Sequence, residues 1–228
     1  MRQEKFFQSG RLKLSWSEWG SGNSDVIILL HGPRDCALSW EKVAETMAKD
    51  YRVIALDNRG HGLSENAGPS EYLFKDYVGD LGNLIRVVNA TNIMIVGHSV
   101  GGLYAIDYLT QRGNDITKFI ALDVVLSWDD SAEKFRPANI ERNCKFDSES
   151  VMLRDTISLW DSWKNIEIPT LLVRGRQSEV LTHEMAVTMR ECLPGCYLTE
   201  LEGGGHWFHQ ESPNEFCSVL NWFLDLDI

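Results

Sequence analysis

Short apolar runs followed by stretches with helical spacing recur along most of the chain. Residues 26–30 form an unbroken apolar run, which is typical of a strand buried on both faces. Helical spacing follows at residues 39–49, 73–88, 102–109 and 181–193. Further strands are predicted at residues 12–16, 51–56, 92–96, 119–122, 170–173 and 197–201. This alternation predicts an α/β fold with a mostly parallel central sheet and helices on both faces.

One predicted strand leads directly into a candidate nucleophile. Residues 92–96 precede Gly97-His98-Ser99-Val100-Gly101, which fits the pattern G-x-S-x-G, and a helical stretch begins at Gly102. A serine between a strand and a helix in this pattern is a nucleophile on a sharp turn. The glycines are needed because the strand and helix backbones pass close together there. A glycine turn that only happens to carry a serine is the alternative.

Other polar residues follow the remaining predicted strands. His31-Gly32, Asp57, Ser99, Asp123, residues 175–179 and His206 each come after a different strand. Sites in open parallel sheets lie at the carboxyl ends of the strands. We therefore expect these side chains to converge, which favours a catalytic Ser99 over the simple turn.

Composition narrows the possible partners. The 228 residues carry 22 basic and 33 acidic side chains, a net charge of -11, which argues against nucleic acid and anionic membranes as partners. No apolar run is long enough to cross a membrane, and the first residues lack the features of a signal peptide. The five scattered cysteines predict reduced thiols in a cytoplasm, with Cys192 and Cys196 as packing residues and no metal site.

Several motifs in order resemble the α/β-hydrolase superfamily over nearly the whole chain. They are His31-Gly32 with Trp40, Asp57-x-Arg59-Gly60-His61-Gly62-x-Ser64, Gly97 to Gly102, Arg174-Gly175-x-x-Ser178-Glu179, and Gly205-His206-Trp207 before Glu211-x-Pro213. The resemblance implies one domain over residues 1–228, with residues 124–168 as a short, small helical cap. It also implies a small-molecule substrate, no cofactor, and a monomer or homodimer.

The resemblance assigns the catalytic roles. Ser99 is the nucleophile, and His206, on the loop after the last strand, is the base that takes its proton. The base needs a carboxylate to fix its tautomer, and Glu179 stands in the loop where the superfamily usually has aspartate. Asp123 is the alternative acid. His31, His61 and His98 are expected to brace loops, and His209 is expected to lie on the rim.

The oxyanion hole departs from the superfamily pattern. One N–H donor is expected from Val100, but the residue after His-Gly is Pro33, which has no N–H. Arg34 could replace it through its amide or guanidinium group, the loop could be shifted, or the reaction could need no complete hole. A plain ion pair between Arg34 and Asp35 is a further alternative. Trp207 is a candidate pocket residue beside the base.

These residues predict a serine hydrolase that cleaves a small carboxylic ester, lactone or thioester through an acyl-enzyme on Ser99. Pro33 keeps two alternatives open: a C–C bond hydrolase of a diketone-like substrate, and a non-hydrolytic receptor or lyase-like protein. Aromatic side chains of the cap could line the substrate pocket or form the core of the cap. They are Trp128, Phe135, Phe146, Trp160 and Trp163.

Overall fold

The computed structural model describes residues 1–68, 70–112, 115–128, 144–151 and 157–227. Its main feature is an eight-stranded sheet in the order β1-β2-β4-β3-β5-β6-β9-β10. Strands β1 and β2 are antiparallel to their neighbours, and all pairs from β4 to β10 are parallel. The strands in chain order are β1 (Gln3–Ser9), β2 (Leu12–Trp19), β3 (Val26–Leu30), β4 (Arg52–Asp57), β5 (Ile93–His98), β6 (Ile116–Leu122), β7 (Ser127–Trp128), β8 (Ile157–Ser158), β9 (Thr170–Gly175) and β10 (Cys196–Leu201).

Helices cover both faces of this sheet, which confirms the predicted fold class. They are α1 (Glu41–Met47), α2 (Phe74–Val88), α3 (Val100–Arg112), α4 (Trp160–Lys164), α5 (His183–Cys192), α6 (Phe208–Glu211) and α7 (Pro213–Leu224). Alternate side chains of β3 enter two separate cores: Ile28 packs in the core that includes Leu84 of α2, and Ile27 in the core that includes Phe216 of α7. The unbroken apolar run of β3 therefore reflects burial on both faces. No helix in the described part of the chain is long and apolar enough to span a bilayer.

The predicted cap is described only in part. Strands β7 and β8 form a small antiparallel ribbon, and α4 follows it. Residues 144–151 pack on the loop after β4, where Gly62 N donates to Lys145 O at 2.8 Å and Asp147 N donates to Gly60 O at 2.7 Å. Phe135 and the side chain of Trp128 lie outside the described residues.

A disulfide corrects one expectation. Cys36 and Cys144 are bonded across 108 residues of sequence, so the prediction of reduced thiols is wrong for this pair. Docking of residues 144–151 brings the two cysteines together, and sequence spacing carries no sign of it. Cys192, Cys196 and Cys217 are free thiols. The prediction of a cytoplasmic location loses the support that it drew from reduced cysteines.

Candidate active site

Ser99 stands on the turn between β5 and α3, as the G-x-S-x-G pattern predicts. Its φ of 52° lies in the left-handed region, and the residue is 8% exposed. The turn is tight enough that a Cβ at Gly97 would lie 2.5 Å from the Cα of Gly102, and one at Gly101 would lie 2.6 Å from the carbonyl oxygen of Leu30. Only glycine fits at these two positions, and the close approach holds Ser99 at the carboxyl end of β5.

His206 forms its short hydrogen bond with Asp123. The Nδ1 atom of His206 lies 2.6 Å from Oδ2 of Asp123, a residue that is fully buried. Asp123 follows β6 directly and has a left-handed φ of 48°. The amide of Ser99 donates to the carbonyl of Leu122 at 3.0 Å, so the serine and this carboxylate end neighbouring strands. Among the described residues, no hydrogen bond joins Ser99 Oγ to His206.

The expectation that Glu179 orients His206 is corrected by this contact. Glu179 is exposed and makes no hydrogen bond or ion pair with any described residue, whereas its neighbour Ser178 donates from Oγ to Oδ2 of Asp123 at 2.5 Å. Strand β6 lies between β5 and β9, so its carboxylate is placed between the serine turn and the Ser178 loop. Sequence reasoning gave Ser178 no role, although it belongs to the motif quoted for Glu179.

Two histidines brace the loops at this edge, as expected. Nε2 of His31 accepts the amide of Asn58 at 3.1 Å, and Nε2 of His61 accepts the amide of Arg34 at 3.3 Å. Nδ1 of His61 lies 3.0 Å from the carbonyl of Arg59, so the ring fits a neutral tautomer that donates from Nδ1. Burial, together with the nearby His31, lowers the pKa of His61 to about 3.

His98 and His209 form a buried polar cluster beneath the site with Asp35. His98 Nε2 lies 2.8 Å from the carbonyl oxygen of His206, and His209 is fully buried, so the expected rim position of His209 is wrong. Gln210 Nε2 lies 3.0 Å from Asp35 Oδ2 and 3.2 Å from His209 Nε2. Ligand atoms of Asp35, His98 and His209 lie within 4.8 Å of one another. Among the described residues, this group therefore has a spacing that could hold a metal ion. The hydrogen bonds to the side chain of Gln210 and to the carbonyl of His206 indicate instead that this cluster supports the loops.

The loop after β3, which carries Pro33 and Arg34, lies on the side of β5 opposite β6 and Asp123. Val100 is the first residue of α3, and its amide has no backbone partner among the described residues. Pro33 is half-buried and has no N–H, while the amide of Arg34 is engaged by His61. Arg34 forms no ion pair with Asp35 among the described contacts, so the plain ion pair is not supported. The Trp207 ring stands edge-on to His206, with ring centres 4.6 Å apart.

The cap aromatics divide between core and site. Trp163 is fully buried and donates from Nε1 to the carbonyl of Met189 at 2.8 Å, so it belongs to the packing between α4 and α5. Phe146 is 40% exposed and lies against the ring of His61. Among the described side chains of the cap, Phe146 is therefore the aromatic residue beside the loop that carries Arg34.

Comparisons with known proteins agree with this architecture. A family model described as the alpha/beta hydrolase fold matches residues 25–143, slightly more than half of the chain. The chain therefore belongs to the α/β-hydrolase fold family. The solved structure of an esterase from Exiguobacterium antarcticum superimposes with a TM-score of 0.84 at 20% identity, covering 98% of this chain and all of that one.

Two curated relatives match smaller shares of the two chains than this esterase does. "Probable serine hydrolase" of Drosophila melanogaster is 29% identical over 117 residues, which is 50% of this chain and 35% of that protein. "Epoxide hydrolase 1" of Caenorhabditis elegans is 20% identical over 282 residues, covering 97% of this chain and 70% of that protein. The match thus spans about a third of the length of the fly relative. Both of these relatives are named as hydrolases.

Proposed function

We propose that this protein is a serine hydrolase that cleaves a small carboxylic ester, lactone or thioester through an acyl-enzyme on Ser99. The observation that carries the proposal is the 2.6 Å contact between His206 Nδ1 and Asp123 Oδ2. A carboxylate at Nδ1 fixes the tautomer in which Nε2 is unprotonated and can accept a proton. Asp123 replaces Glu179 as the proposed acid.

The proposed reaction has two halves. His206 Nε2 takes the proton of Ser99 as Oγ attacks the ester carbonyl, and the resulting oxyanion accepts the amide of Val100. The intermediate collapses, the acyl–oxygen bond breaks, and the alcohol leaves with the proton from His206. Water then attacks the acyl-enzyme with the same base, which releases the acid and restores Ser99. Asp123 stabilises the charged imidazole in both halves.

The left-handed backbone at Ser99 supports the same role. A non-glycine residue in this region carries a conformational cost of about 1 to 2 kcal/mol, and such strain is concentrated at functional sites. The amide of Val100 opens α3, where the first N–H groups of a helix lack partners within the helix. An oxyanion next to Ser99 would meet this donor.

The test compares the wild-type protein with Ser99→Ala on p-nitrophenyl acetate and p-nitrophenyl butyrate. We expect Ser99→Ala to lower kcat/KM by at least about 10⁴-fold, because the nucleophile is removed. Ser218→Ala, an exposed serine of α7, is the matched control and keeps the wild-type rate. Labelling with a fluorophosphonate, followed by mass spectrometry, is expected to modify Ser99. Absence of both turnover and label would refute the proposal.

Pro33 favours a second candidate. Loss of one oxyanion donor costs about two to three orders of magnitude in ester hydrolysis. A receptor or lyase-like protein that keeps these residues needs no ester hydrolysis and would tolerate this loss, and a C–C bond hydrolase of a diketone-like substrate stays a further alternative. Fluorophosphonate labelling of Ser99 without ester turnover would favour this group.

A further inference from the structure

Arg34 has an unusual backbone conformation for its residue type. Four non-glycine residues in the described part of the chain have positive φ: Arg34 at 58°, Asn89, Ser99 and Asp123. Asn89 ends helix α2, a position that asparagine commonly occupies in this conformation. Ser99 and Asp123 are the proposed nucleophile and acid. Arg34 is the remaining member of the group, and glycine would adopt the same conformation without the cost. The strain points to a use for the arginine side chain.

The loop that carries Arg34 passes beside the serine. Two residues before Arg34, a Cβ at Gly32 would lie 3.1 Å from the Cβ of Ser99, so the loop passes directly against the proposed nucleophile. The guanidinium carbon of Arg34 lies 5.9 Å from the ring centre of Phe146, which is partly exposed. Arg34 is half-buried, and its guanidinium faces Phe146 of residues 144–151.

The guanidinium of Arg34 forms no ion pair with a carboxylate of the described residues and lies over the ring of Phe146 instead. Other arginines near the strand ends are paired: Arg59 with Asp80 at 2.7 Å, Arg174 with Glu200 at 2.5 Å, and Arg176 with Glu202 at 2.6 Å. Acidic residues outnumber basic ones by 33 to 22, so a half-buried arginine without a carboxylate is unexpected. A planar guanidinium at the edge of a reaction site is suited to bind a carboxylate with two parallel hydrogen bonds.

We propose that Arg34 binds a carboxylate of the substrate, so that the protein acts on an ester that carries a free carboxylate. This inference rests on the proposed hydrolysis at Ser99 and names its substrate class. The carboxylate can belong to the acyl part or to the leaving group, and the test distinguishes these sources. The amide of Arg34 is engaged by His61, which fixes the base of the side chain and leaves the guanidinium to the ligand.

The test uses two pairs of substrates, each made of a free acid and its methyl ester. Mono-4-nitrophenyl adipate and its methyl ester place the carboxylate on the acyl side; 4-acetoxybenzoate and its methyl ester place it on the leaving group. The measured quantity is the ratio of kcat/KM for the acid to kcat/KM for the methyl ester. We expect a wild-type ratio above one for one pair, and Arg34→Gln to lower it about 10- to 100-fold, the size of a charge-assisted hydrogen bond. Arg34→Lys should keep part of the ratio.

Arg176→Gln removes a positive charge from the loop after β9, where Arg176 is paired with Glu202, and it is expected to leave the ratio unchanged. An unchanged ratio in Arg34→Gln for both pairs would overturn the proposal. An equal loss of kcat on acid and methyl ester would also overturn it, because it would show that the guanidinium acts on the oxyanion.

Two measurements separate this proposal from the proposed function. Fluorophosphonate labelling reports on Ser99 whatever the substrate preference. Calorimetry of monomethyl adipate and of 4-acetoxybenzoate with Ser99→Ala and Ser99→Ala/Arg34→Gln reports on the carboxylate subsite without turnover. We expect one of the two anions to bind to Ser99→Ala and to lose at least about tenfold in affinity without Arg34. Equal binding of both anions to the two variants would reject the subsite even if Ser99 is reactive.

Discussion

On one side of Ser99, His206, Asp123 and Ser178 form a chain of short hydrogen bonds, which we call the acid side. On the other side, which we call the oxyanion side, residues 32–36 contain a proline and give the Arg34 amide to His61. The polar groups of the acid side therefore form hydrogen bonds with one another. The oxyanion side has fewer backbone donors for a substrate, and its charged residue Arg34 has a left-handed backbone.

This difference separates what is general from what is particular in the site. In the proposed reaction, the acid side activates Ser99 whatever the substrate is, because it acts only on His206. The oxyanion side would face the reacting carbonyl in that reaction, so changes there are expected to affect which substrates react and how fast. Residues outside this loop hold residues 32–36 in place. Asp57 accepts a hydrogen bond from the amide of Ala37 at 2.8 Å, and a disulfide joins Cys36 to Cys144.

The largest expected effect tests which carboxylate completes the acid side. Asp123→Asn should lower kcat/KM on p-nitrophenyl butyrate by about 10³- to 10⁴-fold, because an amide neither fixes the tautomer of His206 nor stabilises its charged form. Glu179→Gln, the matched substitution on the neighbouring loop, should stay within about threefold of wild type. A greater loss in Glu179→Gln than in Asp123→Asn would reverse the assignment of the acid.

The next effect concerns the disulfide that holds the oxyanion side. Cys36→Ser/Cys144→Ser should lower the free energy of unfolding by about 4 to 5 kcal/mol, since the bond closes a loop of about a hundred residues in the unfolded chain. Urea titration with and without a thiol reductant measures the change. Cys192→Ser, at an unpaired and half-buried cysteine, is the control and should change the stability by less than about 1 kcal/mol. A stability that does not respond to reduction would show that the loop is held without this bond.

Pro33→Ala tests whether the oxyanion side lacks a donor. The substitution supplies an N–H at the position where the superfamily pattern expects one, and we expect kcat on p-nitrophenyl butyrate to rise by about 10²-fold. Pro194→Ala, at an exposed turn before β10, is the control and should leave kcat unchanged. An unchanged rate in Pro33→Ala would mean that another group already completes the hole.

The smallest effect is the pH dependence of stability from His61. Burial and the neighbouring His31 lower its pKa from 6.5 to about 3 in the folded protein. Between these values the unfolded chain binds a proton that the folded one does not, so this contribution is complete above pH 6.5 and is lost as the pH falls toward 3. The loss is at most about 1.4 kcal/mol per pH unit.

Urea unfolding between pH 7.5 and pH 4.5 should therefore show a steeper decline for the wild type than for His61→Gln, which cannot take up the proton. The exposed His183→Gln is the control and should follow the wild type. Parallel curves for wild type and His61→Gln would contradict the neutral, buried state of His61.

The sequence alone determined the sheet class and the position of Ser99. The apolar run at residues 26–30 became β3 without a shift of its ends, and the glycines around Ser99 mark a close approach that only glycine permits. Strand β1 was missed because exposed and polar residues interrupt its pattern. These are local features, and local spacing is enough to read them.

Only the tertiary structure shows that Asp123, and not Glu179, contacts His206, and that Cys36 is joined to Cys144. Both outcomes depend on strand order and on the docking of residues 144–151, which bring together positions far apart in sequence. A motif places a carboxylate on a loop, but the direction of that loop decides which carboxylate reaches the histidine. The same holds for Arg34, since its left-handed backbone and the approach of its loop to Ser99 exist only in the folded chain.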